Sequence, residues 1–111
     1  MFTEIQSYKE FLRLKEEETA LLGYFSTDTC NVCKVLKPKV EELISNEFPK
    51  VKLAYIKSDE LPETAAQNRV FAAPTILVFF DGRETIRKSR SIGIDELRRE
   101  MGRPYSMLFA D

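Results

Sequence analysis

The sequence contains no histidine and no tryptophan, and its 111 residues include only two cysteines. Histidine is the commonest metal ligand in proteins, and two thiolates supply only half of a tetrahedral zinc shell. One chain alone therefore does not provide a complete zinc site. A metal could be held only if two copies shared their cysteines, so a metal centre is not the prediction.

The sequence also lacks an excess of either charge and any long apolar run. It has 17 basic and 18 acidic side chains, for a net charge of -1. This balance argues against a nucleic-acid surface. No apolar stretch reaches the roughly 18 residues of a membrane span, and Glu4, Lys9 and Glu10 interrupt the region where a secretory signal would lie. We expect a cytoplasmic protein that forms one domain over residues 1–111 and does not bind membranes.

The two cysteines, Cys30 and Cys33, lie three residues apart, directly after an apolar segment. Residues at this spacing are neighbours on a helix, which favours one intramolecular disulfide. A cysteine at a helix start meets unpaired backbone N–H groups that lower its thiol pKa. Asp28 could cap this helix or, by repulsion, raise that pKa, and the sequence does not decide between the two. In a reducing cytosol such a pair indicates transient thiol exchange or metal binding.

The hydrophobic pattern predicts alternating strands and helices. Apolar runs bounded by polar residues are typical of buried strands, and a Ser7–Glu10 capping box begins the first helix. Asp81-Gly82 indicates a hairpin. We therefore predict an α/β fold, with a central mixed β-sheet flanked by helices on both faces. The predicted strands are 2–5, 20–25, 51–56, 75–80 and 85–91, and the helices are 7–18, a long one from residue 30, 62–68 and 94–101.

The helix after the cysteines and the end of the chain carry more specific predictions. A buried stripe on the long helix comprises Cys33, Leu36, Val40, Leu43 and Ile44, with Pro38 expected to bend it. We expect Gly102 to end the last helix. The remaining apolar tail, 102–111, is expected to pack on the domain, with a partner contact as the alternative.

Three landmarks together make the chain resemble the thioredoxin family over nearly its whole length. They are the strand leading into Cys30-Asn31-Val32-Cys33, Pro38 in the following helix, and Ala73-Pro74 at the family's spacing for its cis-proline. The resemblance implies a thioredoxin-like fold and a thiol–disulfide oxidoreductase that reduces protein disulfides. It also implies a thiol or a flavin-dependent reductase as electron donor, no cofactor of its own, and a monomer.

The resemblance assigns roles to single residues. Cys30 is implied to attack the substrate disulfide and Cys33 to resolve the mixed disulfide. Pro74 is expected in cis, which leaves the backbone at Ala73 to pair with an extended substrate. The family's Trp-Cys-Gly-Pro-Cys is here Thr29-Cys30-Asn31-Val32-Cys33, so Thr29, Asn31 and Val32 form an atypical rim of the groove.

Further departures from the family pattern concern charge. Tyr24 and Tyr55 stand where the family has a buried aspartate and its partner lysine, so we expect slower resolution of the mixed disulfide. The two phenols could bond each other or water, or be ordinary core residues. An alignment without gaps places Arg90 where the family has a small glycine beside the groove. A cation there could lower a thiol pKa or favour acidic substrates. A slipped alignment would instead bring Gly93 to that place and leave Arg90 solvated.

These departures leave a second interpretation open. The chain could be a thioredoxin-fold interaction module with weak or no general reductase activity, which docks a partner through its tail or its altered groove.

Overall fold

The computed structural model describes residues 1–110, which form five strands and four helices. Within these residues, no helix combines the length and the apolar character that a membrane crossing requires. The strands are β1 (Thr3–Glu4), β2 (Ala20–Ser26), β3 (Lys52–Lys57), β4 (Thr75–Phe80) and β5 (Arg83–Ser89). The helices are α1 (Tyr8–Glu17), α2 (Asn31–Glu47), α3 (Pro62–Gln67) and α4 (Ile94–Phe109).

The five strands form one mixed sheet in the order β1-β3-β2-β4-β5. Strand β3 pairs in parallel with β1 and β2, whereas β4 is antiparallel to β2 and β5 is antiparallel to β4. All seven residues of the central strand β2 are buried, as its continuous apolar run predicts. The predicted mixed sheet is confirmed, and its central strand ends just before the cysteines.

Helices cover both faces of the sheet because side chains along each strand alternate in direction. Leu22 and Tyr24 of β2 point to the face that α2 and α4 cover, while Leu21 and Phe25 point to the face that α1 and α3 cover. Strand β4 alternates in the same way. The prediction of helices on both faces is therefore confirmed.

Local signals in the sequence account for several element boundaries. The Ser7 hydroxyl accepts a hydrogen bond from the Glu10 N–H at 3.1 Å, and the Glu10 carboxylate accepts one from the Gln6 N–H at 2.6 Å. These bonds satisfy donors at the start of α1. Asp81 and Gly82 both have positive φ and form the predicted hairpin turn between β4 and β5.

The predicted end of the last helix is wrong, because α4 continues through Gly102 and Pro104 to Phe109. Tyr105 explains the difference: its ring packs edge-on against Phe48 with centroids 5.1 Å apart, and its hydroxyl accepts a hydrogen bond from the Lys50 N–H. Such packing offsets the roughly 1 kcal/mol that glycine costs a helix interior and the backbone hydrogen bond that Pro104 removes.

Packing of the predicted tail on the rest of the protein is confirmed. Tyr105, Leu108 and Phe109 lie against the core between α2, α4 and the sheet. Asp111, the last residue of that tail, lies outside the described residues. The segment that the sequence marks as an apolar tail is therefore mostly the final two turns of α4.

Candidate active site

The turn that follows β2 places Cys30 at the start of α2. The Cys30 N–H bonds to the Thr27 carbonyl at 3.2 Å, and Cys30 has extended backbone angles as the N-cap residue. Its Sγ accepts a hydrogen bond from the Cys33 N–H at 3.1 Å. The helix is thus capped by a sulfur atom, and the exposed Asp28 does not occupy the capping position.

Cys30 and Cys33 form a disulfide, with their Cα atoms 5.3 Å apart. The two sulfurs differ in access. Cys33 is 1% exposed and lies within the core, whereas Cys30 is half-buried and lines a surface groove. A substrate sulfur approaching through this groove meets Cys30 first.

The rest of α2 holds the cysteine pair in place by burying one stripe of its surface. The buried residues are those that the spacing predicts: Cys33, Leu36, Val40, Leu43 and Ile44. Pro38 lies inside the helix, where its missing N–H removes one backbone hydrogen bond. Asn31 and Val32, between the cysteines, are both exposed and take no part in the stripe.

A second loop, before β4, forms the opposite wall of the groove. The Ala73–Pro74 peptide bond is cis. The Thr75 hydroxyl donates to the Ala72 carbonyl at 2.7 Å, and the Arg90 N–H donates to the Pro74 carbonyl at 2.8 Å. Within residues 1–110, the N–H and C=O of Ala73 pair with no other backbone group. An extended chain could therefore pair with Ala73.

The groove between these loops has a volume of about 690 Å³. It brings together the residues that the sequence predicts for it: Thr29, Cys30, Asn31, Val32, Ala73, Pro74 and Arg90. Thr27, Leu36, Ser91 and Ile92 also line it and were not predicted. Their contribution depends on how three separate loops meet, for which the local sequence carries no signal.

Beneath the disulfide, Tyr24 and Tyr55 face each other on the paired strands β2 and β3. Their rings stack with centroids 6.1 Å apart. The Tyr24 hydroxyl donates to the backbone carbonyl of Cys33 at 2.6 Å and not to the other phenol. Burial, and then the neighbouring Tyr55, raise the pKa of Tyr24 well above its usual value. The phenol therefore stays neutral.

A lysine and a phenylalanine complete this aromatic cluster, and sequence reasoning missed both. The Lys37 Nζ lies 3.8 Å from the ring centroid of Tyr55 and 5.5 Å from that of Phe2. Phe2 in turn packs edge-on against Tyr24, at a centroid distance of 5.6 Å. A positive charge from α2 thus lies over the rings of Tyr55 and Phe2.

Arg90 lies at the end of β5, beside Pro74, and has a φ of 64°. Glycine adopts this left-handed conformation most easily. The conformation therefore agrees with the ungapped alignment, which places Arg90 where the family has a glycine. Gly93, the alternative, has a φ of -88° and is the N-cap residue of α4. Gly93 lies outside the groove that contains Cys30, whereas Arg90 lines it.

Together, a mixed sheet covered by helices on both faces, a disulfide at the start of α2 and a cis-proline beside it define a thioredoxin-fold protein with a Cys-Xaa-Xaa-Cys redox pair. Residues 2–102 match the family model described as Thioredoxin. The chain therefore belongs to the thioredoxin family.

Individual relatives agree with this assignment. The chain is 32% identical to the thioredoxin-like protein YdfQ of Bacillus subtilis over 84 residues, which cover 76% of this chain and 74% of that protein. It is 28% identical to Thioredoxin-1 of Saccharomyces cerevisiae over 88 residues, 78% of this chain and 84% of the relative. Among solved structures, Fasciola hepatica thioredoxin superposes with a TM-score of 0.79 at 28% identity, covering 90% of this chain and 96% of the other. Membership in this family supports thiol–disulfide oxidoreductase chemistry in general.

Proposed function

We propose that the protein reduces disulfides in other proteins through a reversible dithiol–disulfide change at Cys30 and Cys33. The observation that carries this proposal is the position of the disulfide: Cys30 lines an open groove at the N-terminus of α2, and Cys33 is buried directly behind it. An accessible sulfur and a protected one are what sequential attack and resolution require.

The reaction begins with the reduced protein. The Cys30 thiolate, which faces the free N–H groups of the first turn of α2, attacks one sulfur of the substrate disulfide. The substrate S–S bond breaks, a mixed disulfide forms, and the other substrate sulfur leaves as a thiolate. The Cys33 thiolate then attacks the Cys30 sulfur, which releases the second substrate thiol and leaves the Cys30–Cys33 disulfide. Two electrons have passed to the substrate.

Tyr24 lies beneath Cys33, at the position where the resemblance implies a carboxylate. Tyr24 stays neutral and donates a hydrogen bond to the Cys33 carbonyl, so it does not act as a base. Water or the departing thiolate then accepts the proton of Cys33. Resolution is accordingly slower than in a relative that carries an aspartate at this position.

The oxidised protein must be reduced again before another cycle. A flavin-dependent reductase or a low-molecular-weight thiol would supply the two electrons, and the chain needs no cofactor of its own for the exchange. A reducing cytoplasm is the compartment in which this direction of reaction is favoured, with the protein acting as a monomer.

NADPH-coupled reduction of insulin disulfides tests the proposal directly. We expect turnover by the wild type in the presence of a thioredoxin reductase. Cys33→Ser should lose turnover but form a stable mixed disulfide with insulin, because attack is preserved and resolution is not.

Cys30→Ser is the matched control, since it leaves one cysteine but removes the exposed nucleophile. It should neither turn over nor form the mixed disulfide. If wild type fails to reduce insulin with several reductases and with dithiothreitol as donor, the reductase function is rejected and the interaction module becomes the better interpretation.

A further inference from the structure

Arg90 is the only permanently charged side chain among the described residues that line the groove. The other lining residues are neutral or, in the case of Cys30, redox-active; they are Thr27, Thr29, Asn31, Val32, Leu36, Ala73, Pro74, Ser91 and Ile92. A single cation makes an otherwise neutral groove positively charged. A substrate segment with a carboxylate beside its disulfide would complement it.

The backbone of Arg90 is held in a left-handed conformation, which is unfavourable for residues other than glycine. Its φ is 64°, and its N–H bonds to the Pro74 carbonyl at 2.8 Å. The other non-glycine residues of positive φ in residues 1–110 have local reasons: Arg69 follows the end of α3, and Asp81 is in the hairpin turn. A glycine at position 90 would avoid this cost. We therefore expect the arginine side chain to make a favourable interaction with a ligand.

Among residues 1–110, the guanidinium of Arg90 forms no ion pair with a carboxylate. Its neighbours on β5 are paired: Arg87 with Glu84, and Lys88 with Glu96 and Glu100. Across residues 1–110, no carboxylate lies within 4.0 Å of the Arg90 side chain, which is exposed. The positive charge of Arg90 is therefore available to a substrate that enters the groove.

We propose that Arg90 makes the groove selective for an extended, acidic substrate segment, in which a Glu or Asp lies next to the disulfide cysteine. The inference deepens the proposed function and rests on it for the identity of the attacking sulfur. When the substrate chain pairs with Ala73 and its sulfur reaches Cys30, the neighbouring side chain lies near Arg90, since all three residues line one groove. Arg90 is a specificity-determining residue in this arrangement, and it takes no part in sulfur exchange.

The test follows the attack step alone, in a Cys33→Ser background. The probes are two short peptides that differ only in Glu or Gln before a single cysteine activated with a neutral 2-thiopyridyl group. Cys30 attacks the peptide sulfur, the S–S bond to the thiopyridyl group breaks, and released pyridine-2-thione is followed by absorbance. We expect the Glu peptide to react about threefold faster, the scale of one exposed ion pair.

Variants at position 90 and elsewhere separate charge from folding. Arg90→Gln should abolish the preference, Arg90→Lys should retain most of it, and about 0.5 M salt should weaken it. Arg103→Gln, which removes an exposed cation of α4 outside the groove, should leave the preference unchanged. Arg90→Gly, free of the backbone cost, should show no preference and keep the fold.

Equal rates for the two peptides with Arg90 present, or a preference that survives in Arg90→Gln, would overturn the inference. Its failure is distinguishable from failure of the reductase function. If the protein attacks both peptides equally yet reduces insulin, the proposed function is supported and the selectivity is rejected. If it prefers the Glu peptide but never turns over insulin, the selectivity is supported and the reductase function is rejected.

Discussion

Tyr24 lies beneath the redox pair and is joined to it by a hydrogen bond. Its hydroxyl reaches the carbonyl of Cys33, the first buried residue of α2. An unpaired buried aspartate at this position would cost several kcal/mol without a cationic partner from β3, and Tyr55 occupies that partner's place. The hydroxyl therefore links Cys33 to the central strand without any ionised group.

The raised pKa of Tyr24 makes part of the protein's stability depend on pH. Folding favours the neutral phenol, so this contribution is complete below 10.0, the usual pKa of the unfolded side chain, and is lost as the pH rises through the higher folded value. At neutral pH, Tyr24→Phe should lower the free energy of unfolding by about 1 kcal/mol through loss of one hydrogen bond. The difference between wild type and variant should shrink above pH 10.

Urea unfolding at neutral pH and at a series of pH values up to about 11 measures this difference. Tyr8→Phe provides the comparison, because the Tyr8 ring packs on the opposite face of the sheet, away from Cys33. A wild-type advantage over Tyr24→Phe that is absent at neutral pH, or constant throughout the series, would contradict the role assigned to the hydroxyl.

At the scale of elements, α4 shows how tertiary contacts extend a helix past a residue that weakens it. Gly102 lies in its interior, and a Cβ there would meet no atom within 4 Å. Alanine has a higher helix propensity and a less flexible unfolded chain than glycine. Gly102→Ala should therefore raise the free energy of unfolding by about 0.5–1 kcal/mol, measured by chemical or thermal denaturation.

Gly82→Ala tests the same substitution where the backbone requires glycine. Its φ of +76° in the hairpin turn is unfavourable for a side chain, so we expect destabilisation of about 1 kcal/mol. Opposite signs at the two positions are the expected pattern. Destabilisation by Gly102→Ala would mean that the last two turns of α4 are not helical in solution.

The sequence predicts most elements because their core-facing residues recur at regular spacings. The stripe of α2 and the apolar run of β2 are visible without a structure, since each depends only on local periodicity. The extension of α4 is not, because it depends on Tyr105 meeting Phe48 from a distant part of the chain. For the site, the resemblance brings Cys30 and Pro74 together, whereas the charge of Lys37 over Tyr55 follows only from the packing of α2.

At the scale of the whole molecule, large apolar side chains remain exposed at the end that carries the disulfide. Val32 is 60% exposed and Phe71 is 86% exposed. Phe71 borders a depression that continues from Ala73 along α3, next to the groove. Large exposed apolar patches mark surfaces that contact other proteins, and we predict such a contact at Phe71.

Phe71→Ser tests this surface. The variant should keep its stability within about 0.5 kcal/mol of wild type, because the side chain is almost fully exposed. Its kcat/KM for insulin should fall about threefold, the lower end of what an apolar contact contributes, while reduction of a small uncharged disulfide is unchanged.

Met107→Ser is the corresponding control, because Met107 is 73% exposed on the last turns of α4 and does not line the groove. It should affect neither substrate. An equal loss in both variants, or an equal loss for the small disulfide, would show that the Phe71 surface does not contact protein substrates.

The exposure of Asn31 and Val32 separates the residues between the cysteines from the packing of α2. Neither side chain contributes to the buried stripe of α2, so mutations at both positions are nearly neutral for folding while they change the surroundings of the two sulfurs. The surface beside the disulfide can therefore vary while the scaffold that holds the disulfide stays the same.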